Sequence, residues 1–182
     1  MSDTHAPKGA DHLVGTDGSI TLTDAGRDVI QAFRDAERAY DSLQQSWAGA
    51  FLAGLFLRHS WLQSLRITLT ATAEYNDQGG SYRSVRNSVA AVAPVPNAEL
   101  PGSVLFDGVF DSIEATSVIG AELDDNDLDL YTSFRTEYDD YGDLEPVLNR
   151  DAATALLQGS TVSGAQAFDA WFPQSMAEPA IG

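Results

Sequence analysis

Cysteine is absent from the 182-residue chain, which excludes disulfides, thiolate metal sites, iron–sulfur clusters and cysteine nucleophiles together. Lysine is nearly absent, since a single one, Lys8, accompanies nine arginines. A phosphate loop and Schiff-base chemistry both need a lysine on a folded element, and Lys8 follows Pro7 in a polar amino-terminal stretch. Histidine is scarce too: His5 and His12 lie in that stretch and His59 stands alone further on. A hydrolytic triad or a three-ligand zinc site would need His59 joined by distant partners, which no spacing suggests. Beside Arg58 and Ser60, it reads as a residue favoured by the negative end of a helix. Neither G-x-S-x-G nor G-x-G-x-x-G occurs. The longest apolar run, WAGAFLAGLFL from Trp47 to Leu57, rises about 16 Å as a helix against about 30 Å of bilayer core, so no membrane span is expected.

Acid is abundant. Asp and Glu number 27 against 10 basic residues, for a formal net charge of −17. Such a chain repels phosphates and anionic lipids, so direct nucleic-acid binding is not expected. Acidic excess with scarce lysine resembles, in composition and not by family, the proteins of haloarchaea. At 1 M salt the Debye length falls to about 3 Å, which would quench the self-repulsion. The plainer alternative is an acidic bacterial or phage protein, since alanine is also frequent. The first twelve residues show no basic-apolar leader pattern, which predicts residence in the cytoplasm, or in a virus particle.

Residues 1–20 read as an extended, polar arm and 174–182 as a tail. Thr21 or Thr23 can cap a helix, with Asp24 and Asp28 suited to its positive end. Val29, Phe33, Ala36, Tyr40, Leu43, Trp47, Ala50, Gly54, Leu57 and Trp61 then recur at steps of three and four, a heptad stripe that predicts one long helix over 23–60. Amphipathic helices usually serve their own core, so one expectation is that the stripe packs on the chain's own sheet. The other is that it self-associates or binds a partner, with Phe33, Tyr40, Leu43, Trp47, Phe51, Leu55 and Trp61 as candidate interface residues. Gly49 with Ala53, and Ala50 with Gly54, would permit close helix approach.

Strict alternation from Leu65 to Ala73, the turn signal Asn76–Gly80 and a less regular return predict a hairpin over 64–92. Three prolines mark 93–102 as a loop. Phe106, Phe110 and Ile113 at helical spacing place a helix over 104–121, and alternation from Asp127 to Tyr138 places a strand. Two short helices are expected over 151–171, capped by Asn149 or Asp151 and by Ser163. The fold class is α+β: a single domain (21–173) with a long helix over 23–60 on a small, mainly antiparallel sheet closed by short carboxy-terminal helices.

From Glu122 to Glu145 ten carboxylates face one base, Arg135. Asp125, Asp127 and Asp129 repeat the opening of a calcium loop, but Leu130 replaces its glycine and Thr136 its bidentate glutamate. A looser calcium or magnesium site would draw on Asp125, Asp127, Asp129, Asp139, Asp140 and Asp143. A second explanation is mimicry of nucleic acid by an inhibitor, although alternate strand residues about 6.7 Å apart are sparser than phosphates at about 3.4 Å. The third is a solvated, salt-adapted face. Missing catalytic vocabulary and the heptad stripe together predict a non-enzymatic protein acting by self-association or inside a larger complex, such as a virion. The alternatives are the mimic and a divalent-metal protein.

Overall fold

The computed structural model describes residues 9, 12–135 and 141–173. The architecture is α+β, with antiparallel sheets, a long helix near the amino terminus and short helices towards the carboxy terminus. Contacts divide the chain into two compact units, Met1–Ser42 and Leu43–Gly182. The division falls inside the long helix rather than near residue 20, where composition places it.

In the first unit, β1 (His12–Val14) pairs antiparallel with β2 (Ile20–Leu22), where the sequence predicts an extended arm over 1–20. Gly18 takes a positive φ in the connecting turn, and Asp17 accepts the Ser19 N–H. That hydrogen-bonding serine holds the exposed Asp17 carboxyl below its ordinary value. Helix α1 (Asp24–Arg58) starts on the expected cap: Thr23 Oγ1 accepts the Gly26 N–H at 3.0 Å, and its carbonyl accepts from Arg27. Among the described residues of this unit no side chain is buried. Leu13, Val14, Ile20, Val29 and Phe33 all stand in solvent.

The second unit holds the core. Strands β3 (Leu62–Tyr75) and β4 (Ser81–Pro94) form the predicted hairpin, longer by two residues at its open end. Asn76 organises the turn by accepting the N–H groups of Gln78 and Gly80, and Gly79 supplies the positive φ. Two bulges shift the register. Leu65, Ile67, Leu69 and Ala71 are buried on one face of β3, while Arg66 and Thr72 on the other are exposed. On the open face Glu74 accepts the Tyr82 hydroxyl and pairs with Arg86 at 3.3 Å; with the Tyr82 bond foremost, these contacts hold its carboxyl below the ordinary range.

The third strand is not the expected Asp127–Tyr138 segment. It is split into β7 (Gly142–Leu144) and β8 (Val147–Asn149), both paired antiparallel with β3. Pro146, unable to donate, sits between them and accepts the Ile67 N–H. Residues 127–134 are instead helix α3 (Asp127–Phe134). The apparent alternation hides a helical stripe, because Leu130, Tyr131, Ser133 and Phe134 turn inward at steps of one, two and one. Asp127 and Asp129 lie in the first turn, where the helix dipole favours them. Residues 136–138 of the expected strand lie outside the described residues.

Residues 105–110 are not helical either, and Val104 ends a 3-10 turn (Gly102–Val104). Asp107 and Gly108 both take positive φ, a two-residue turn joining β5 (Leu105–Phe106) to β6 (Val109–Phe110). Asp-Gly is the residue pair that such a turn selects. Helix α2 (Ser112–Leu123) follows, capped by Asp111, which accepts from Ile113 and Glu114. Helices α4 (Arg150–Leu157) and α5 (Gly164–Trp171) start on Asn149 and Ser163 as expected.

One cluster unites Leu52, Leu55 and Phe56 of α1 with Leu65, Ile67 and Leu69 of β3, Ile119 of α2, Leu130 and Tyr131 of α3, and Phe168 and Trp171 of α5. Each fully buried large apolar side chain stabilises by roughly 1.5–3 kcal/mol relative to exposure.

Candidate functional site

Heptad lettering separates the two faces of α1. With Phe33, Tyr40 and Trp47 at position a and Val29, Ala36 and Leu43 at position d, the stripe runs along one side of the helix. Between Leu43 and Arg58 the fully buried residues are Ala48, Gly49, Leu52, Ala53, Leu55 and Phe56. At 100° per residue, Leu52 points roughly 170° away from the centre of the a/d stripe. Within this stretch the core takes mainly the opposite side of the helix; of the stripe, Trp61 lies inside the core cluster and Trp47 packs against it, while Leu43, Ala50 and Leu57 are exposed. Two apolar faces explain why residues 47–57 look hydrophobic all round.

The stripe is open over most of its length. Phe33 is 62% exposed, Val29 64% and Leu43 66%, and Tyr40, Ala36, Ala50 and Leu57 are exposed as well. Trp47 is half-buried and stacks on Phe51 with ring centroids 5.4 Å apart. Leu43, Gln44 and Trp47 line, with Asp129, an open cavity of about 320 Å³. Of the seven interface residues expected from the sequence, Phe33, Tyr40 and Leu43 are exposed and Trp47 and Phe51 are half-buried. Leu55 and Trp61 belong to the core and are withdrawn. The indole N–H of Trp61 is buried without an acceptor among the described residues.

Flanking positions on the open side are small: Ala25, Ala32 and Ala39 fall at heptad position g. Apart from Glu37 at position e, charge lies on the other faces, where Arg27 pairs with Asp24 and Arg38 with Asp35. Residues 24–42 carry five carboxylates against three arginines, so this segment is close to neutral in a chain of charge −17.

The acidic candidates do not converge. Asp125 lies in a 3-10 turn, Asp127 and Asp129 on α3, and Asp143 on β7; Asp139 and Asp140 lie outside the described residues. Residues two apart on a helix point about 200° from one another, so the D-x-D-x-D spacing loses its loop meaning. Among the described residues no three histidine or acidic side chains could hold a metal ion together. Asp127 accepts from the Asn87 amide; burial, reinforced by Asp124 and Asp125, pushes its carboxyl above the ordinary value despite that bond. Asp143 accepts the Thr70 hydroxyl at 2.6 Å.

Two charged clusters lie where α1 ends. Glu122 accepts from Arg58 Nε at 2.9 Å and Nη2 at 2.6 Å, and from His59 Nε2 at 2.5 Å. Burial alone would raise its carboxyl, but the bonds and charges of His59 and Arg58 outweigh burial and hold it below its ordinary value. Arg150 donates Nε to the Leu62 carbonyl and Nη2 to those of Phe56 and His59; the Phe56 carbonyl lies in the last turn of α1, where carbonyls have no partner within the helix. Its guanidinium lies 5.4 Å from the Phe56 ring centroid, and burial lowers its pKa. Both clusters hold elements of the fold to one another.

The chain matches no protein-family model, no curated protein and no solved structure. Function therefore has to be argued from its own surface. Among the described residues no helix is long and apolar enough to cross a membrane.

Proposed function

We propose that this protein is a non-enzymatic association module that pairs through the outward stripe of α1, with itself or as a subunit of a larger assembly. Its setting is the salt-rich interior of a cell or a virus particle. One observation carries the reading: Val29, Phe33, Ala36, Tyr40 and Leu43 of the a/d stripe are all exposed. Most helical stability in proteins comes from packing of an apolar face rather than from propensity. The Asp24–Ser42 portion buries no side chain, so an occupant of its stripe would supply what its own unit lacks. Sequence adds the absence of a usable lysine, of any cysteine and of nucleophile or phosphate-loop motifs. The high-salt setting rests on the charge of −17, whose repulsion between like chains needs screening.

Light scattering together with circular dichroism, from dilute buffer to molar potassium chloride, tests the reading. A multiple of the 19.5 kDa chain mass, or a stable hetero-complex, is expected, and it is lost in Phe33→Asp and Tyr40→Asp while the fold is kept. Retention of the assembly in both variants would overturn the proposal.

A further inference from the structure

The stripe has a size pattern that selects its occupant. Its a positions are large, Phe33 and Tyr40, and its d positions smaller, Val29 and Ala36, and all four are exposed. In a parallel pair of identical helices each residue meets its own copy. Phe33 against Phe33 and Tyr40 against Tyr40 would then alternate with Ala36 against Ala36. Interaxial distance varies over 8–10 Å with the side chains at the contact, so wide and narrow layers one turn apart cannot both close. In an antiparallel pair, a faces d. Phe33 then meets Ala36 of the second copy and Tyr40 meets Val29, each layer twice about the two-fold axis, with large against small throughout. The alanines at Ala25, Ala32 and Ala39 flank these layers and leave room for close approach.

From this, and resting on the stripe as the association surface, we infer that its occupant is a second copy of this chain, paired antiparallel over residues 29–40 with the two-fold axis between Arg34 and Asp35. Charge agrees with this arrangement. The paired segment is nearly neutral, whereas residues 43–182 carry nineteen carboxylates against six arginines. In a parallel pair the two Ser42 residues would lie side by side, bringing those acidic stretches out together. Antiparallel pairing separates them by about 22 Å along the axis, more than two Debye lengths at physiological salt. The one charge beside the stripe at position e, Glu37, also comes within reach of Arg34 of the second copy, whereas a parallel partner would present Ala32 there.

The absence of cysteine makes the test direct. Single cysteines at Asp28, Gln31, Arg38 and Ser42, exposed positions away from the stripe, are spin-labelled one at a time in the full chain. Same-site distances between copies are then read by pulsed dipolar spectroscopy. For antiparallel pairing the axial offset between equivalent labels is about 10 Å at 31 and 38 and about 20 Å at 28 and 42, so distances rise in both directions from the centre. Phe33→Asp abolishes the coupling. Equal distances at all four sites, still lost in Phe33→Asp, would overturn the antiparallel pair and leave the stripe as the surface. Coupling that survives Phe33→Asp overturns both. No coupling at any site up to molar salt shows that the occupant is not a second copy.

Discussion

A Cβ built on Gly49 would lie 2.0 Å from the carbonyl oxygen of Gly164, and one built on Gly164 would lie 2.0 Å from that of Ser46. The first turn of α5 thus rests against the backbone of α1, at a distance only two glycines allow. Serine and glycine at 163 and 164 combine a cap with this contact, because Ser163 accepts the Gln166 N–H from the same turn. The contact also brings Phe168 of α5 to the stacked and tilted cluster that it forms with Phe134 and Phe172.

Gly49→Ala and Gly164→Ala are each expected to destabilise the protein by about 1–3 kcal/mol, the usual range for forcing a methyl group into a filled space, or more where backbone must move. Gly54→Ala serves as the comparison, since its Cβ would meet only the flexible end of Arg58 at 3.1 Å. There the better helix propensity of alanine should stabilise by up to about 1 kcal/mol. Urea midpoints at constant m-value decide this; equal loss in all three variants would refute the close-contact account.

Arg150 makes three hydrogen bonds to carbonyl oxygens where α1 ends, with no carboxylate among its acceptors in the described residues. Hydrogen bonds to a charged donor contribute roughly 1.5–3 kcal/mol each at most, and they share one side chain. Arg150→Met is expected to cost about 2–4 kcal/mol in unfolding free energy. Arg150→Lys should recover less than half of it, because an ammonium cannot reproduce the planar fork. A lysine variant as stable as wild type would show that charge near the helix terminus suffices.

The acid limb of the stability profile has an assignable contributor. The folded-state pKa of Glu122 lies below its unfolded value, so its contribution is complete above the usual carboxylate range and is lost as pH falls through the folded value. Asp127 runs the other way: its pKa is raised on folding, so the penalty it carries above the usual range is relieved by protonation on acidification. Glu122→Gln should therefore lower stability at neutral pH and flatten its decline below about pH 5, whereas Asp127→Asn should raise stability at neutral pH and steepen that decline. Thermal midpoints at a series of pH values in constant salt measure both. Parallel profiles for wild type and Glu122→Gln would remove the assignment.

Period and turn chemistry determined most of the fold class from the sequence. A stripe of ten residues at steps of three and four specifies one long helix, whatever surrounds it, and strict alternation with Asn76–Gly80 specifies the hairpin. Thr23, Asn149 and Ser163 were legible as caps because each needs only its own turn's N–H groups. Local pattern failed where two periods coincide: Leu128 and Leu130 alternate, yet Leu130, Tyr131, Ser133 and Phe134 also form one helical face. The helical spacing of Phe106, Phe110 and Ile113 hid the Asp107-Gly108 turn. Which side of α1 meets the core, by contrast, was decided by tertiary structure alone. Both sides are apolar between residues 47 and 57, and apolar burial has no direction, so only the placement of β3 and α5 buries Leu52, Leu55 and Phe56 and leaves Leu43 and Leu57 facing water.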